Sequence, residues 1–246
     1  MTYCVGVLVQ DGLLMVADTR TNAGLDNIAT FRKLHLFEQP GQKMIALATA
    51  GNLGVTQAVI SLLREGFRNP DTDVVETLLD QPSMFRAAQF VGHAIRAVGA
   101  TDGAALERSG ASFDVTMLLG GQFGEARARL FMLYKAGNFI EATSDTPYLQ
   151  IGEHKYGKPI LDRAVTFRSD LYDALKLSLI SMDSTMRSNL GVGLPIDLVV
   201  LRKDVLQWEV SRRIEAAEPY FHDLRERWSA ALRKAHNDIP PPPYRD

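Results

Sequence analysis

Tyr3-Cys4-Val5-Gly6-Val7-Leu8-Val9 and Leu13-Leu14-Met15-Val16-Ala17 are two apolar runs joined by Gln10-Asp11-Gly12. Asp-Gly between such runs is a hairpin signal, because glycine accepts the positive φ of a tight primed turn. The runs are apolar at every position rather than at alternate ones, which marks strands covered on both faces. Thr2 stands at the head of the first strand, and Asp18-Thr19-Arg20 follows the second.

Working outward, residues 34–37 (LHLF) and 43–50 (KMIALATA) read as a second strand pair across Gln39-Pro40-Gly41. A helix opens at Gly51 and runs to about residue 66, ended by Gly66 and Pro70. A second helix spans about 84–98, with Phe85, Ala88, Val91, Ile95 and Val98 on one face. Strands are expected over 114–120, 128–134 and 138–142, then helices over about 157–165 and 169–186. Strands 196–202 and 205–212 turn at Lys203-Asp204. A last helix, about 217–236, places Phe221, Leu224, Trp228 and Leu232 on one stripe before the extended Pro240–Pro243 tail. Helices come in pairs between groups of strands, which is not the alternation of a parallel sheet. The order predicts an α+β fold, a four-layer αββα sandwich, with residues 1–246 forming a single domain.

Composition narrows the function. The chain of 246 residues carries 27 basic and 29 acidic residues, a formal charge of −2, without a basic block that would track a phosphate backbone. Nucleic acid is therefore not an expected partner. No stretch approaches the roughly 18 apolar residues of a membrane span, and residues 1–20 lack the basic start of a signal peptide. Cys4 is the only cysteine. It reads as a small core residue of a strand, and its solitude suits a reducing cytoplasm. His35, His93, His154, His222 and His236 are too scattered for a metal site, and no cofactor is expected.

The candidate chemistry lies at strand ends. Removal of Met1 would leave Thr2 with a hydroxyl nucleophile and an α-amine base on one residue. Such an amine titrates at roughly 7.7–8.0, near the optimum for a general base at neutral pH. Asp18 and Lys33 flank apolar runs, and Thr49-Ala50-Gly51-Asn52-Leu53-Gly54 is a strand-to-helix turn able to offer N–H groups to an oxyanion.

Taken together, a threonine before the first strand, Asp18-Thr19-Arg20 after the hairpin, Lys33, and Gly51-x-x-x-x-Thr56-Gln57 resemble proteasome β-type subunits. Asp18-Thr-Arg-Thr-Asn-Ala-Gly24, Phe31-Arg-Lys33, Ile151-Gly-Glu-His-Lys-Tyr-Gly-Lys-Pro159 and Gly193-Leu-Pro-Ile-Asp197 are most similar to the bacterial Anbu (ancestral β subunit) branch of that N-terminal nucleophile hydrolase superfamily. The resemblance spans essentially the whole chain. It implies that Thr2 is the nucleophile, that Lys33 lowers the pKa of the freed amine, that Asp18 holds Lys33, and that the Gly51 N–H meets the oxyanion. It further implies an aspartate and a serine bracing the amine: Asp183, with Ser188 or Ser184. Two departures stand out. Gly152-Glu153-His154 replaces the family's Ser-Gly-Gly turn, leaving Glu153 or Tyr156 as substitutes, and the segment after Asp183 is several residues longer than usual. Family likeness also allows a cation on backbone oxygens near residues 183–189, although no ligand pattern requires one.

The function implied is a cytoplasmic, self-compartmentalising threonine peptidase that needs only the removal of Met1 and forms a large homo-oligomer, ring or open spiral, around peptide or protein substrates. Nothing in the sequence identifies an ATPase partner. The alternatives are an amidase or peptide transferase on a small molecule with the same nucleophile, and a non-catalytic oligomeric scaffold. The last fits less well, because α-type chains carry a helical extension where this chain begins its first strand.

Overall fold

The computed structural model describes residues 1–22 and 28–244. In chain order the elements are β1 (Tyr3–Val9), β2 (Gly12–Asp18), β3 (Arg20–Asn22), β4 (Ile28–Thr30), β5 (Leu34–Gln39), β6 (Lys43–Gly51), α1 (Leu53–Glu65), β7 (Phe67–Arg68), β8 (Val75–Glu76), α2 (Met84–Arg108), β9 (Val115–Phe123), β10 (Arg129–Leu133), β11 (Phe139–Glu141), β12 (Tyr148–Gly152), α3 (Lys158–Ala164), α4 (Leu171–Ser188), β13 (Ile196–Arg202), β14 (Val210–Ile214) and α5 (Pro219–Asp238). The first large sheet has the strand order β12-β1-β2-β13-β14 and the second β11-β10-β9-β6-β5; β3-β4 and β7-β8 form two small ribbons. Within both large sheets every pairing is antiparallel.

The uninterrupted apolar runs follow from where successive side chains go. In β2, Leu13, Met15 and Ala17 enter a buried cluster with Cys4 of the same sheet and Met44, Ala46, Ala48 and Leu118 of the other. Leu14 and Val16 point oppositely, into a cluster with Leu161 of α3, Leu179 and Met182 of α4, and Phe221 and Leu224 of α5. The second sheet repeats the arrangement. Ile45, Leu47, Met117 and Leu119 pack with Val59 and Leu63 of α1 and with Val91 and Ile95 of α2. The sheets therefore meet on one face and bury helices on the other.

Several elements depart from the sequence reading. α2 continues ten residues past Val98, and Phe85 lies at its exposed edge rather than on the buried face. The second strand of the last hairpin starts at Val210 instead of 205, because the chain leaves the ladder between Lys203 and Glu209. β12 was not anticipated at all. Its five residues pair with β1 from Tyr148 opposite Val7 to Gly152 opposite Tyr3. α5 buries Phe221 and Leu224 and partly covers Trp228, while Leu232 on the same stripe is exposed. Among the described residues no helix is long and apolar enough to cross a membrane.

Candidate active site

Asp18 closes β2 and is fully buried. Its Oδ1 accepts from the Tyr3 N–H (3.0 Å) and from Lys33 Nζ (2.8 Å), and its Oδ2 accepts from the Gly193 N–H (3.3 Å). Burial pushes the Asp18 carboxyl above its ordinary value, while the Lys33 charge and these bonds pull it back. Lys33, just before β5, is buried too. Besides Asp18, its ammonium donates to the Arg20 carbonyl (2.6 Å) and to the Met1 carbonyl (3.1 Å). Three donors thus meet three acceptors, the arrangement a buried ammonium requires. The Met1 carbonyl belongs to the peptide bond that joins Met1 to Thr2, so the lysine charge sits at the amine that cleavage of that bond would release.

Thr2 is held by its backbone. Its carbonyl accepts from the Glu153 N–H at 2.7 Å. Gly152 lies flush against it: a Cβ there would sit 2.0 Å from the Thr2 oxygen, and the Gly152 φ of +80° belongs to the left-handed region. This close approach is what the Gly152-Glu153-His154 turn provides. Across the cleft, Gly51 ends β6 with φ +115°, where a Cβ would stand 2.2 Å from the Asp114 carbonyl. The Asn52 N–H bonds to Asp114 on β9's side, and the Thr49 N–H bonds to Lys33 on β5's side. Ladder alternation turns the Gly51 N–H toward β5, past that strand's last partner. Thr2 and Gly51 border one cavity of about 1100 Å³ that extends along β12.

The loop from Asn189 to Pro195 covers the pair. Gly193 donates to Asp18, Gly191 lies against the Met1 side chain, and Arg20 Nη1 donates to the Leu190 carbonyl at 3.0 Å. The Thr19 N–H and hydroxyl both reach the Pro195 carbonyl, at 3.1 and 2.7 Å. Sequence reasoning gave Arg20 and Gly193 no separate role, although both stood inside the quoted motifs. Ala23 and Gly24, at the end of one of those motifs, lie outside the described residues.

Asp183 and Ser188 are not brought to this cluster. Buried in α4, Asp183 accepts from Arg187 Nε of the same helix (3.0 Å) at Oδ2 and from Arg225 Nε of α5 (2.5 Å) at Oδ1, so one oxygen ties α4 to α5. Ser188 is exposed at the end of α4, and neither it nor Ser184 has a hydrogen bond to Thr2 or Lys33 among the described residues. The sequence reading makes these three residues braces of the amine; Asp183 lies between Arg187 and Arg225, Ser184 is half-buried within α4, and Ser188 is exposed at its end. Ser181 instead faces the N-terminal strand, its Oγ 2.6 Å from the Tyr3 hydroxyl, which also accepts from Gln150 Nε2 at 2.5 Å. Burial raises the Tyr3 phenol, and the bonds to Ser181 and Gln150 pull it partly back. Glu153 touches Thr2 through its backbone N–H, and Tyr156 is exposed. Cys4 is wholly buried and its thiol is pushed up by burial, as a core residue would be. Among the described residues no group of His, Cys, Asp or Glu side chains could hold a metal ion.

Two antiparallel sheets backed by helices, with a buried Asp18–Lys33 pair at the head of the first strand, define a relative of the proteasome β-type subunits. Full-length likeness to solved structures narrows this. The chain is 43% identical to Anbu (ancestral β-subunit) from Yersinia bercovieri, with a TM-score of 0.90 over 99% of this chain and 100% of that one. It is 48% identical to Anbu from Hyphomicrobium sp. strain MC1 (TM-score 0.88, 97% and 98% covered) and 43% identical to the chain in a helical assembly of the Anbu complex from Pseudomonas aeruginosa (TM-score 0.90, 98% of each). No family model matches the chain, and neither does any curated protein. The chain belongs to the Anbu family.

Proposed function

We propose that this protein is a threonine-type peptidase whose nucleophile is Thr2, freed by cleavage of the Met1–Thr2 bond. The observation that carries the reading is the buried Lys33 ammonium, fixed by Asp18 and the Arg20 carbonyl and hydrogen-bonded at the very bond whose cleavage exposes the amine. In the free-amine form, the Thr2 Oγ1 attacks the substrate carbonyl carbon and its proton passes to the α-amine. Lys33 keeps that amine unprotonated at neutral pH by charge repulsion. The oxyanion forms beside the Gly51 N–H, a contact whose removal typically costs about 3–4 kcal/mol of transition-state stabilisation. Collapse returns the proton to the leaving amine, and water then releases the acyl group from Thr2.

The three clusters support a reading of residues 1–246 as one domain in four layers, helices outside and two sheets within. The helical assembly of the Pseudomonas aeruginosa relative supports a homo-oligomer here, which would enclose the Thr2 sites in a cytoplasmic compartment. Intact mass of the purified chain and of Thr2→Ala, with cleavage of a peptide library, tests the reading. The wild type should lack Met1 and cleave; Thr2→Ala should fold and not cleave. Wild-type rates for Thr2→Ala would refute the assignment.

A further inference from the structure

The edge of the first sheet that borders the cavity is unpaired. β12 is outermost in its sheet, and its register with β1 alternates inward-facing and outward-facing backbone groups. The Leu8 N–H to Pro147 carbonyl bond and the Glu153 N–H to Thr2 carbonyl bond, both 2.7 Å, fix the phase. Residues 147, 149, 151 and 153 turn toward β1, so Tyr148, Gln150 and Gly152 turn outward. The Gly152 carbonyl takes the His154 N–H (2.9 Å). The N–H and C=O of Tyr148 and Gln150 and the N–H of Gly152 have no hydrogen-bond partner among the described residues. Unprotected edges are usually blunted; this one lies along the cleft that holds Thr2 and Gly51.

Charge selects the occupant. Asp145 and Glu153 flank the edge, and Asp114 stands across it beside Gly51, all three lining the cavity. None of them forms a salt bridge among the described residues, whereas Lys158 is committed to both oxygens of Asp162, at 2.6 and 2.9 Å. The cleft therefore keeps an uncompensated negative field that favours cations. Its edge strand, roughly 17 Å long at about 3.3 Å per residue, matches an extended peptide of about five residues, for which main-chain bonds supply affinity and side-chain charges supply selection.

We propose that an extended peptide bearing lysine or arginine side chains docks as an added strand on the outer edge of β12 and continues to Thr2. The inference rests on the Thr2 reading for its catalytic meaning, but docking is measurable without cleavage. A fluorescein-labelled peptide of alternating lysine and valine is titrated into the Thr2→Ala protein and followed by anisotropy. N-methylation of one alternate set of its amides should weaken binding about tenfold or more and of the other set little, since each lost backbone bond accounts for about that factor. Replacing lysine by glutamate in the peptide, or Asp145→Asn with Glu153→Gln in the protein, should weaken it at least several-fold. Hydrogen exchange at the Tyr148 and Gln150 amides should be fast in the free protein and slow with peptide bound. Equal binding of both N-methylated sets, or amides already protected without peptide because a second copy covers the edge, overturns the proposal. If wild-type protein cleaves a small aryl amide through Thr2 while N-methylation has no effect, docking alone fails. If the edge is protected by peptide but wild-type protein cleaves nothing, the nucleophile reading fails and docking stands.

Discussion

Lys33→Met separates the two things the lysine does. Methionine retains the stem's bulk but removes the ammonium, so Asp18 Oδ1 and the Arg20 carbonyl lose a donor at once, as does the Met1 carbonyl wherever Met1 is retained. Asp18 remains fully buried with only the Tyr3 and Gly193 N–H groups. Breaking a buried pair by removing one partner costs roughly 3–5 kcal/mol, and we expect that loss at about pH 7.5. The sign with pH follows from the carboxyl. Its folded pKa already lies above the ordinary value with the lysine present, and removal of the lysine raises it further. Between the unfolded value near 3.9 and the raised folded value, the folded state holds the extra proton, so stability falls as pH rises and recovers as pH falls. The gap between wild type and Lys33→Met in urea unfolding should therefore shrink on going to about pH 5. Adding Asp18→Asn should abolish that pH dependence. A gap that stays constant from about pH 5 to 7.5 would refute the claim that Lys33 neutralises a buried Asp18. Peptide hydrolysis should fall by about a hundredfold or more at every pH in this range, because the charge beside the Thr2 amine is gone.

Gly152→Ala should displace the Thr2 carbonyl, since the new Cβ would stand 2.0 Å from it at a φ of +80°; we expect about 2 kcal/mol lost in urea unfolding and activity reduced at least tenfold, whereas Gly41→Ala, where a Cβ meets nothing within 4 Å, should leave activity unchanged. His35, lowered to about 4 by burial and then by Arg64 and Arg32, binds its proton more weakly folded than unfolded. Stability should thus fall as pH drops from about 6.5 to 4, by at most about 3 kcal/mol, and His35→Gln should flatten that limb relative to wild type. Light scattering at micromolar concentration should show more than about six subunits; a monomer at 27.2 kDa would remove the compartment from the proposed function.

What the sequence disclosed tracks how local each signal is. The hairpin Tyr3–Asp18 was readable because Asp11-Gly12 fixes a turn and every flanking residue is apolar, which only a doubly covered strand explains. Helix α1 was readable from the glycines that bracket it, Gly51 and Gly66; in the structure Asn52 is its cap, with Oδ1 accepting from Gly54 and Val55. The first four candidates, Thr2, Asp18, Lys33 and Gly51, sit at ends of such strands, and their meeting at one place follows from the sheet order. β12 escaped notice because it is only five residues long and because its partner β1 is far away in sequence.

The surroundings of Asp183 depend on a contact that is distant in sequence. Its type and its place before the last hairpin fit a brace of the terminal amine, but an aspartate on a helix has two neighbourhoods: its own strip, four residues along, and whatever packs over it. Here Arg187 supplies the first contact and Arg225, 42 residues later on α5, the second. A carboxylate with no exposed surface is stabilised by such cations against desolvation, and with α5 lying over α4 the side chain is held between Arg187 and Arg225. The site then depends on what remains at the N-terminus itself, the Tyr3 and Gly193 N–H groups on Asp18 and the Glu153 N–H on the Thr2 carbonyl. Those are backbone donors, and a backbone donor carries no mark in the sequence except the glycine that lets it approach.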